Sequence, residues 1–475
     1  MSDLPTGWVI GGIQSLYDVN PGHRGIEIGD ETDVSFIPMT SIEENSGRLH
    51  ADLVKKYRDL KGGYTKFING DVVFAKITPC MENGKIAVAN NLKNGIACGT
   101  TELHVFRPLV NGSAQYLLYF LLQDSVREEA RRCFQGTSGH LRVPASFFDN
   151  LKFPIPPLNE QRRIGAKLKV LLGKVDACKK RLERIPDILK RFRQSVLAAA
   201  CSGRLTADWR EADSFVNDMP SNWRKCRLSD LSVLITKGAS PKWQGVSYSS
   251  TGVLFITSEN VGHGKMLLGT RKYVESEINE IQPRSVLNRG DLLTNIVGAS
   301  IGRSAIYDAD EIANINQAVA LIRLNNTVDR NYILQVLNSP SLVCHMGVQK
   351  VDVARANLSL KDVANFPIPL PPFPEQCKIV RRVEALFKVS DQIEARYAKA
   401  KAYMDKLTQS ILAKAFRGEL VSQNPDDEPA SVLLERICAE RTAALHPAAK
   451  PRRTKASSHI KHSGRRKSVK RETPS

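Results

Sequence analysis

The chain has 475 residues, 42% hydrophobic and 25% charged, enough for a sizeable core spread over roughly three domains; wholesale disorder and a collagen-like repeat are excluded. Its 68 Lys and Arg against 49 Asp and Glu give a formal net charge of +19, the balance of a protein that meets a polyanion. Nine cysteines without a C-x-x-C pair exclude a disulfide framework and a zinc ribbon, and predict reduced thiols in a cytoplasm.

The start, MSDLPTGWVIGG, has neither the basic residues nor the apolar run of a signal peptide, and a membrane span is not expected. The first 155 residues read as a mixed head with a β lean, with strands predicted near 67–74, 85–89 and 103–106 and a helix near 115–132. A Pro-rich stretch, FPIPPL at 153–158, reads as a rigid connector into a long helical region at 156–210. There Ile164, Leu168, Leu171, Val175, Cys178, Leu182, Ile185, Leu189, Phe192 and Val196 recur in steps of four and three, a heptad seam. Such a stalk would be roughly 55–60 Å long. Pro186 is expected to kink or break it, and Gly203 to stop it.

The chain then repeats. PPLNEQ at 156–161 returns as PPFPEQ at 371–376, and RQSVLAAACSGRL at 193–205 as TQSILAKAFRGEL at 408–420. Pro5-Thr6-Gly7-Trp8 answers Pro220-Ser221-Asn222-Trp223 at the same offset of 215. More loosely, Gly70-Asp71 answers Gly290-Asp291, and Arg107 with Tyr116-Leu117-Leu118 answers Arg323 with Tyr332-Ile333-Leu334. Residues 211–370 are therefore a second head, with strands predicted near 253–256, 292–296 and 319–324 and a helix near 330–345. Residues 371–445 are a second stalk, entered through FPIPLPPF, with the seam Ile379, Val383, Leu386, Ser390, Ile393, Tyr397, Ala400, Met404, Leu407 and Ile411. The expected fold is α+β: two mixed α/β heads with a β lean, joined and separated by two long antiparallel helices forming a coiled-coil rod. Residues 446–475 read as a basic disordered tail.

Catalytic patterns are missing from the sequence. It contains no G-x-x-x-x-G-K-[ST] loop, no H-E-x-x-H and no EF-hand pattern. Asp71 and Glu82 with Lys85 are the nearest approach to a metal-dependent nuclease, but the second head has no counterpart to Glu82. His459 and His462 belong to the tail rather than to a metal site, and no metal site is expected.

PPLNEQRRI with the stalk ending RIPDILKRFRQSVLAAACSGRLTADWR resembles the central conserved region of type I restriction–modification specificity (S) subunits. PPFPEQCKIVRRVEALF, LTQSILAKAFRGELV and DEPASVLLERICAERTAA resemble their distal conserved region. The resemblance covers about 160–210 and 371–445. It implies that each head is a target recognition domain reading one half of a bipartite, asymmetric site in double-stranded DNA. It implies also that the rod sets the spacing and docks two modification (methyltransferase) subunits, with restriction (translocase/nuclease) subunits added to them. S-adenosylmethionine, ATP and Mg would then belong to those partners, and this chain would bind no cofactor and catalyse nothing. The rival readings are a coiled-coil adaptor with protein-binding heads and, further off, a metal-dependent nuclease.

Base readout needs Arg, Lys, Asn, Gln or small hydroxyls on projecting loops. In the first head Lys76 and Thr78, and Thr137, Ser138, His140 and Arg142 of QGTSGHLRV, answer that description. In the second head the candidates are Lys237, Lys242 and Gln244 of KGASPKWQG, then Ser300, Arg303, Lys350, Arg355 and Asn357. Gln194, Ser195, Gln409 and Ser410, repeated on the stalks, are candidates for partner docking, since two identical partners need two similar sites. The charge is uneven: residues 1–159 carry 16 basic and 17 acidic groups, whereas 160–210 carry 14 and 5, and 450–475 carry 10 and 1. The heads are nearly neutral, so their affinity for DNA must rest on local patches.

Overall fold

The computed structural model describes residues 4–22, 27–137, 140–210, 214–216, 219–348 and 357–445. The expected tail lies outside them. The chain divides into two compact units, Met1–Lys174 with Lys406–Ser475, and Val175–Asp405.

In the first unit an antiparallel sheet runs in the order Tyr17–Val19, Leu103–Pro108, Val72–Ala75, Ile86–Val88. Side chains of a strand alternate between faces. Val72, Phe74 and Phe106 accordingly enter one core with the helix Ala114–Leu121, while Val73, Ala75 and Val105 enter another with Ile37, Phe67 and Ala97 of a second sheet. Burial on both faces explains why VVFA is apolar without alternation. The second sheet runs Val54–Lys56, Asp33–Ile37, Ile96–Gly99, Thr65–Ile68, its two central strands parallel.

The second unit repeats this plan. Its antiparallel sheet runs Ser232–Lys237, Val319–Leu324, Leu292–Asn295, Ser304–Ile306. Leu292, Ala320 and Ile322 pack with the helix Arg330–Leu337, and Leu293, Val319 and Leu321 with Leu254, Ile256 and Ile315. The strand predicted at 67–74 is instead two, because Asn69–Gly70 turns the chain between Ile68 and Val72, and Gly70 has a φ of +90°.

The Pro-rich exits are not plain connectors. Lys152–Ile155 pairs antiparallel with Val9–Gly12, and Pro367–Leu370 with Arg224–Arg227. Pro367 and Pro369 stand at alternate positions of a two-stranded ribbon, where their missing N–H groups fall on one edge.

The PPxxEQ motif locks each head onto its stalk. Trp8 Nε1 donates to Glu160 Oε2 at 3.0 Å, and Trp223 Nε1 to Glu375 Oε2 at 3.0 Å. Gln161 Nε2 donates to Pro156 O at 2.9 Å, and Gln376 Nε2 to Pro371 O at 3.0 Å. Burial raises the Glu160 pKa, against the opposing hydrogen bond from Trp8. Glu375, fully buried, also accepts from Thr206 Oγ1 at 2.7 Å and pairs with Arg210 at 2.8 Å.

Pro186 breaks the first stalk, which forms the helices Leu158–Leu182 and Ile185–Cys201; the second is one 44-residue helix, Phe373–Phe416. The seams are only partly buried, with Cys178 and Ile393 exposed, so the heptad pattern overstates the packing. Within the second unit Arg193 bonds Asp391 at 2.6 Å and Glu394 at 2.9 Å, and Lys179 bonds Asp405 at 2.7 Å, so these stretches run antiparallel. Within the first, Leu168 shares a core with Leu412 and Phe416. The ends of the stalks thus complete the head cores: Val196, Leu197 and Ala200 in the second unit, Leu412, Ala415 and Phe416 in the first. Gly203 (φ +76°) and Gly418 (φ +77°) end these helices left-handed, and a Cβ on either would run into Pro220 or Pro5. Among the described residues no helix is long and apolar enough to cross a membrane.

Candidate nucleic-acid interface

The register of the antiparallel sheets decides which loops share an edge. In the first head Val19 faces Phe106 and Ala75 faces Leu103, so the loops that follow Val19 and Ala75 leave from one end. In the second, Lys237 faces Ala320, which faces Thr294, which faces Ser304. The loops after Lys237 and Asn295 therefore also leave together. A third segment closes each edge by the same hydrogen bond: Val143 N–H to Lys76 O, and Leu358 N–H to Ile296 O, both 2.9 Å. Isolated bridges join Ile77 to Arg142 and Val297 to Asn357. Candidate residues scattered over the sequence are thereby gathered: Lys76, Thr78 and Arg142 in the first head, and Lys237, Ser300, Arg303 and Asn357 in the second.

Their environments differ. Arg142 grips Glu102 with Nε (2.8 Å) and Nη2 (2.9 Å), and donates from Nη1 to His140 O at 3.0 Å. The hydrogen bond from Arg142 lowers the Glu102 pKa and raises that of Arg142. The guanidinium is thus held in one place, with donors left on Nη1 and Nη2 for a base or a phosphate. Thr137 and His140 are exposed, and Thr78 N–H donates to Leu141 O at 3.0 Å. Lys76, half-buried, lines a cavity of about 310 Å³ together with Asn20, Tyr64, Lys66, Thr101 and His104, and no carboxylate is among its lining residues. Burial lowers the His104 pKa; its Nε2 bonds Val143 O at 2.9 Å and its Nδ1 lies 3.1 Å from Asn20 Nδ2.

In the second head Lys237, Lys242 and Asn357 are exposed, and Gln244, Ser300 and Arg303 half-exposed. Ser138, Lys350 and Arg355 lie outside the described residues. On the stalks Gln194, Ser195 and Ser410 are exposed, but Gln409 Oε1 accepts the Asp124 N–H at 3.0 Å inside its own unit. Asp71 is committed to a buried ion pair, its oxygens taking Arg107 Nε at 3.0 Å and Nη2 at 2.9 Å. Asp291 is held likewise by Arg323, at 2.8 and 2.6 Å. The Gly-Asp repeat is thus a structural clamp rather than half of a metal site. Glu102, the partner that fixes Arg142, stands 40 residues before it in the chain and no motif marks it.

Arg142→Ala is expected to weaken binding to duplexes through a single half-site, with little change when the other half-site is altered. Competition assays with base-substituted duplexes check this; equal loss on unrelated DNA would make Arg142 a phosphate contact.

Comparisons agree with this duplicated design. Residues 5–187 and 220–401 each match the type I restriction modification DNA specificity domain. The chain is 33% identical over 473 residues to the type I restriction enzyme EcoKI specificity subunit of Escherichia coli strain K12, covering 93% of this chain and 97% of that one. It is 40% identical over 311 residues to the EcoBI specificity subunit of Escherichia coli, covering 61% of this chain and 65% of that one. In structure it is similar to the HsdS subunit from Thermoanaerobacter tengcongensis, with a TM-score of 0.57 and 22% identity over 88% of this chain and 98% of that one. Two matched specificity domains and near full-length similarity to such subunits place the chain in the family of type I restriction–modification DNA specificity subunits.

Proposed function

We propose that each head reads one half of a bipartite, asymmetric DNA site through its loop edge, and that the stalks set the distance between the halves. The observation that carries this reading is the loop edge itself, built twice with the same closing hydrogen bond and furnished with different side chains. A shared scaffold with unlike loops suits two unlike half-sequences. Two linked readers engage with high effective concentration only when both halves lie at the permitted spacing.

The chain recognises DNA and leaves the chemistry to other subunits of the complex. In our reading two modification subunits dock on the repeated stalk surfaces, around Gln194, Ser195 and Ser410, and restriction subunits join them. S-adenosylmethionine, ATP and Mg belong to those chains. The basic excess of the first stalk suits either the DNA between the half-sites or an acidic partner surface.

The test is a change of length. Inserting seven residues beside Lys179 and seven beside Asp405 adds about 10 Å of helix to each stalk, or about 3 base pairs. The assembled complex is expected to methylate the same half-sequences across a gap wider by about that number, as read by methylome mapping. Altered half-sequences across an unchanged gap would refute the ruler.

A further inference from the structure

Resting on that reading, we propose that Lys190 of the first stalk and Arg303 of the second head together hold a backbone phosphate of the DNA, at a site the first head does not repeat.

The packing of stalk on head inside the second unit brings the two cations together. The helix Ile185–Cys201, which carries Lys190, packs against the helices Arg330–Leu337 and Pro340–Val348. Asn338, which caps the first of these, holds Ser304 with both ends of its amide. Ser304 N–H donates to Asn338 Oδ1 at 3.3 Å, and Asn338 Nδ2 donates to Ser304 O at 3.0 Å. Gly264 N–H donates to the same carbonyl at 2.8 Å, so the turn 262–265 lies against the residue that follows Arg303. His263 of that turn senses both cations. Partial burial lowers its pKa most, the charges of Arg303 and Lys190 lower it further, and its hydrogen bond to Asn338 opposes them.

No acid neutralises this group. Among the described residues neither Lys190 nor Arg303 has an ion-pair partner, and no carboxylate acts on the His263 ring. Glu259, just before the turn, is paired with Lys272 at 3.0 Å. Asp187, one turn before Lys190, sits in the first turn of its helix, where a negative charge suits the helix dipole. Lys190 and His263 are open to solvent and Arg303 is half-exposed. Like charges gathered without a counter-ion repel, and a bound anion removes that cost.

Position and asymmetry select the anion. Arg303 ends the loop that leaves the sheet after Asn295, at the edge assigned to DNA. Such an edge meets phosphates as well as bases, and cations at its margin fix the duplex in register. The first head is furnished differently. Lys85 O accepts the Ala75 N–H at 3.0 Å as Arg303 O accepts the Asn295 N–H at 2.9 Å, so Lys85 is the counterpart of Arg303. Its Nζ is spent on Met39 O at 3.1 Å, with Glu44 bridged to it. The counterpart of Lys190 at the offset of 215 is Asp405, an acid. A partner subunit present in two copies needs two matched surfaces, so a cation pair built once is a contact for DNA.

The experiment measures binding of the assembled complex to its mapped target and to an unrelated duplex over a range of salt concentrations. Lys190→Gln and Arg303→Gln are each expected to make the slope of log affinity against log salt shallower by about one, and the double variant by about two. Both duplexes should lose affinity alike, so that preference for the target is kept, with thermal unfolding unchanged. Lys190→Arg should restore the slope. Wild-type slopes in the two single variants would overturn the proposal. So would a relaxed choice at one base pair in Arg303→Gln, which would make it a base reader, or loss of subunit association with the slope intact, which would make the pair a partner contact. A wild-type complex that prefers no duplex over unrelated DNA would instead refute the half-site reading beneath it.

Discussion

Replacing Glu375 by leucine is expected to destabilise the second unit by about 3–5 kcal/mol, the cost of leaving a buried charge without its partner. Arg210 is 3% exposed and its Nη1 lies 2.8 Å from Glu375 Oε1, so the substitution takes this carboxylate away from a guanidinium in the interior. Trp223 Nε1 and Thr206 Oγ1 lose their acceptor at the same time. Combining Glu375→Leu with Arg210→Met should recover much of the loss, since the desolvated charge is then removed along with its partner. Urea unfolding of the two variants and the wild type measures both effects. A single variant within about 0.5 kcal/mol of wild type, the range of an ordinary surface change, would show that this network does not hold the head to its stalk.

Phe416→Ala is expected to cost about 3–5 kcal/mol in the first unit, by opening a cavity that its neighbours cannot close. The Phe416 ring lies 5.0 Å from Tyr116 and 5.4 Å from Phe120, centroid to centroid, within the core that also holds Leu412 and Ala415. Phe373, at the other end of the same helix, is exposed, and Phe373→Ala should fall within about 0.5 kcal/mol of wild type. Thermal unfolding of the pair separates loss of core packing from a general effect on the helix. Equal melting temperatures would mean that residues near 416 are not part of the first head's core.

Much of this architecture was legible in the sequence because repetition and periodicity are local properties. The offset of 215 residues relates Trp8 to Trp223, Glu160 to Glu375 and Gly203 to Gly418, and each pair plays one structural role. The strands 253–256 and 319–324 appear where apolar runs between turns placed them. The break at Pro186 follows from its ring, which fits the first turn of the helix Ile185–Cys201 but not a helix interior. Other expectations needed correction. The Pro-rich exits are strands, because each finds an antiparallel partner near the start of its own head. The heptad seams predict more burial than Cys178 and Ile393 receive, since periodicity records a face and not what covers it.

By itself, the sequence determined the doubled head-and-stalk order, the helix end at Gly203 and the family to which the chain belongs. It determined the charge and its concentration in the first stalk and the tail as well. The tertiary structure alone decided that the ends of the stalks complete the head cores, and that the Asp71 and Asp291 carboxylates clamp Arg107 and Arg323. It alone decided that Arg142 is held by Glu102, 40 residues away, while Trp243 is left exposed. The physical reason is the same in each case. Helix periodicity and turn chemistry act between neighbours in the chain, whereas an ion pair, a buried ring or an exposed indole is fixed by residues that meet only after folding.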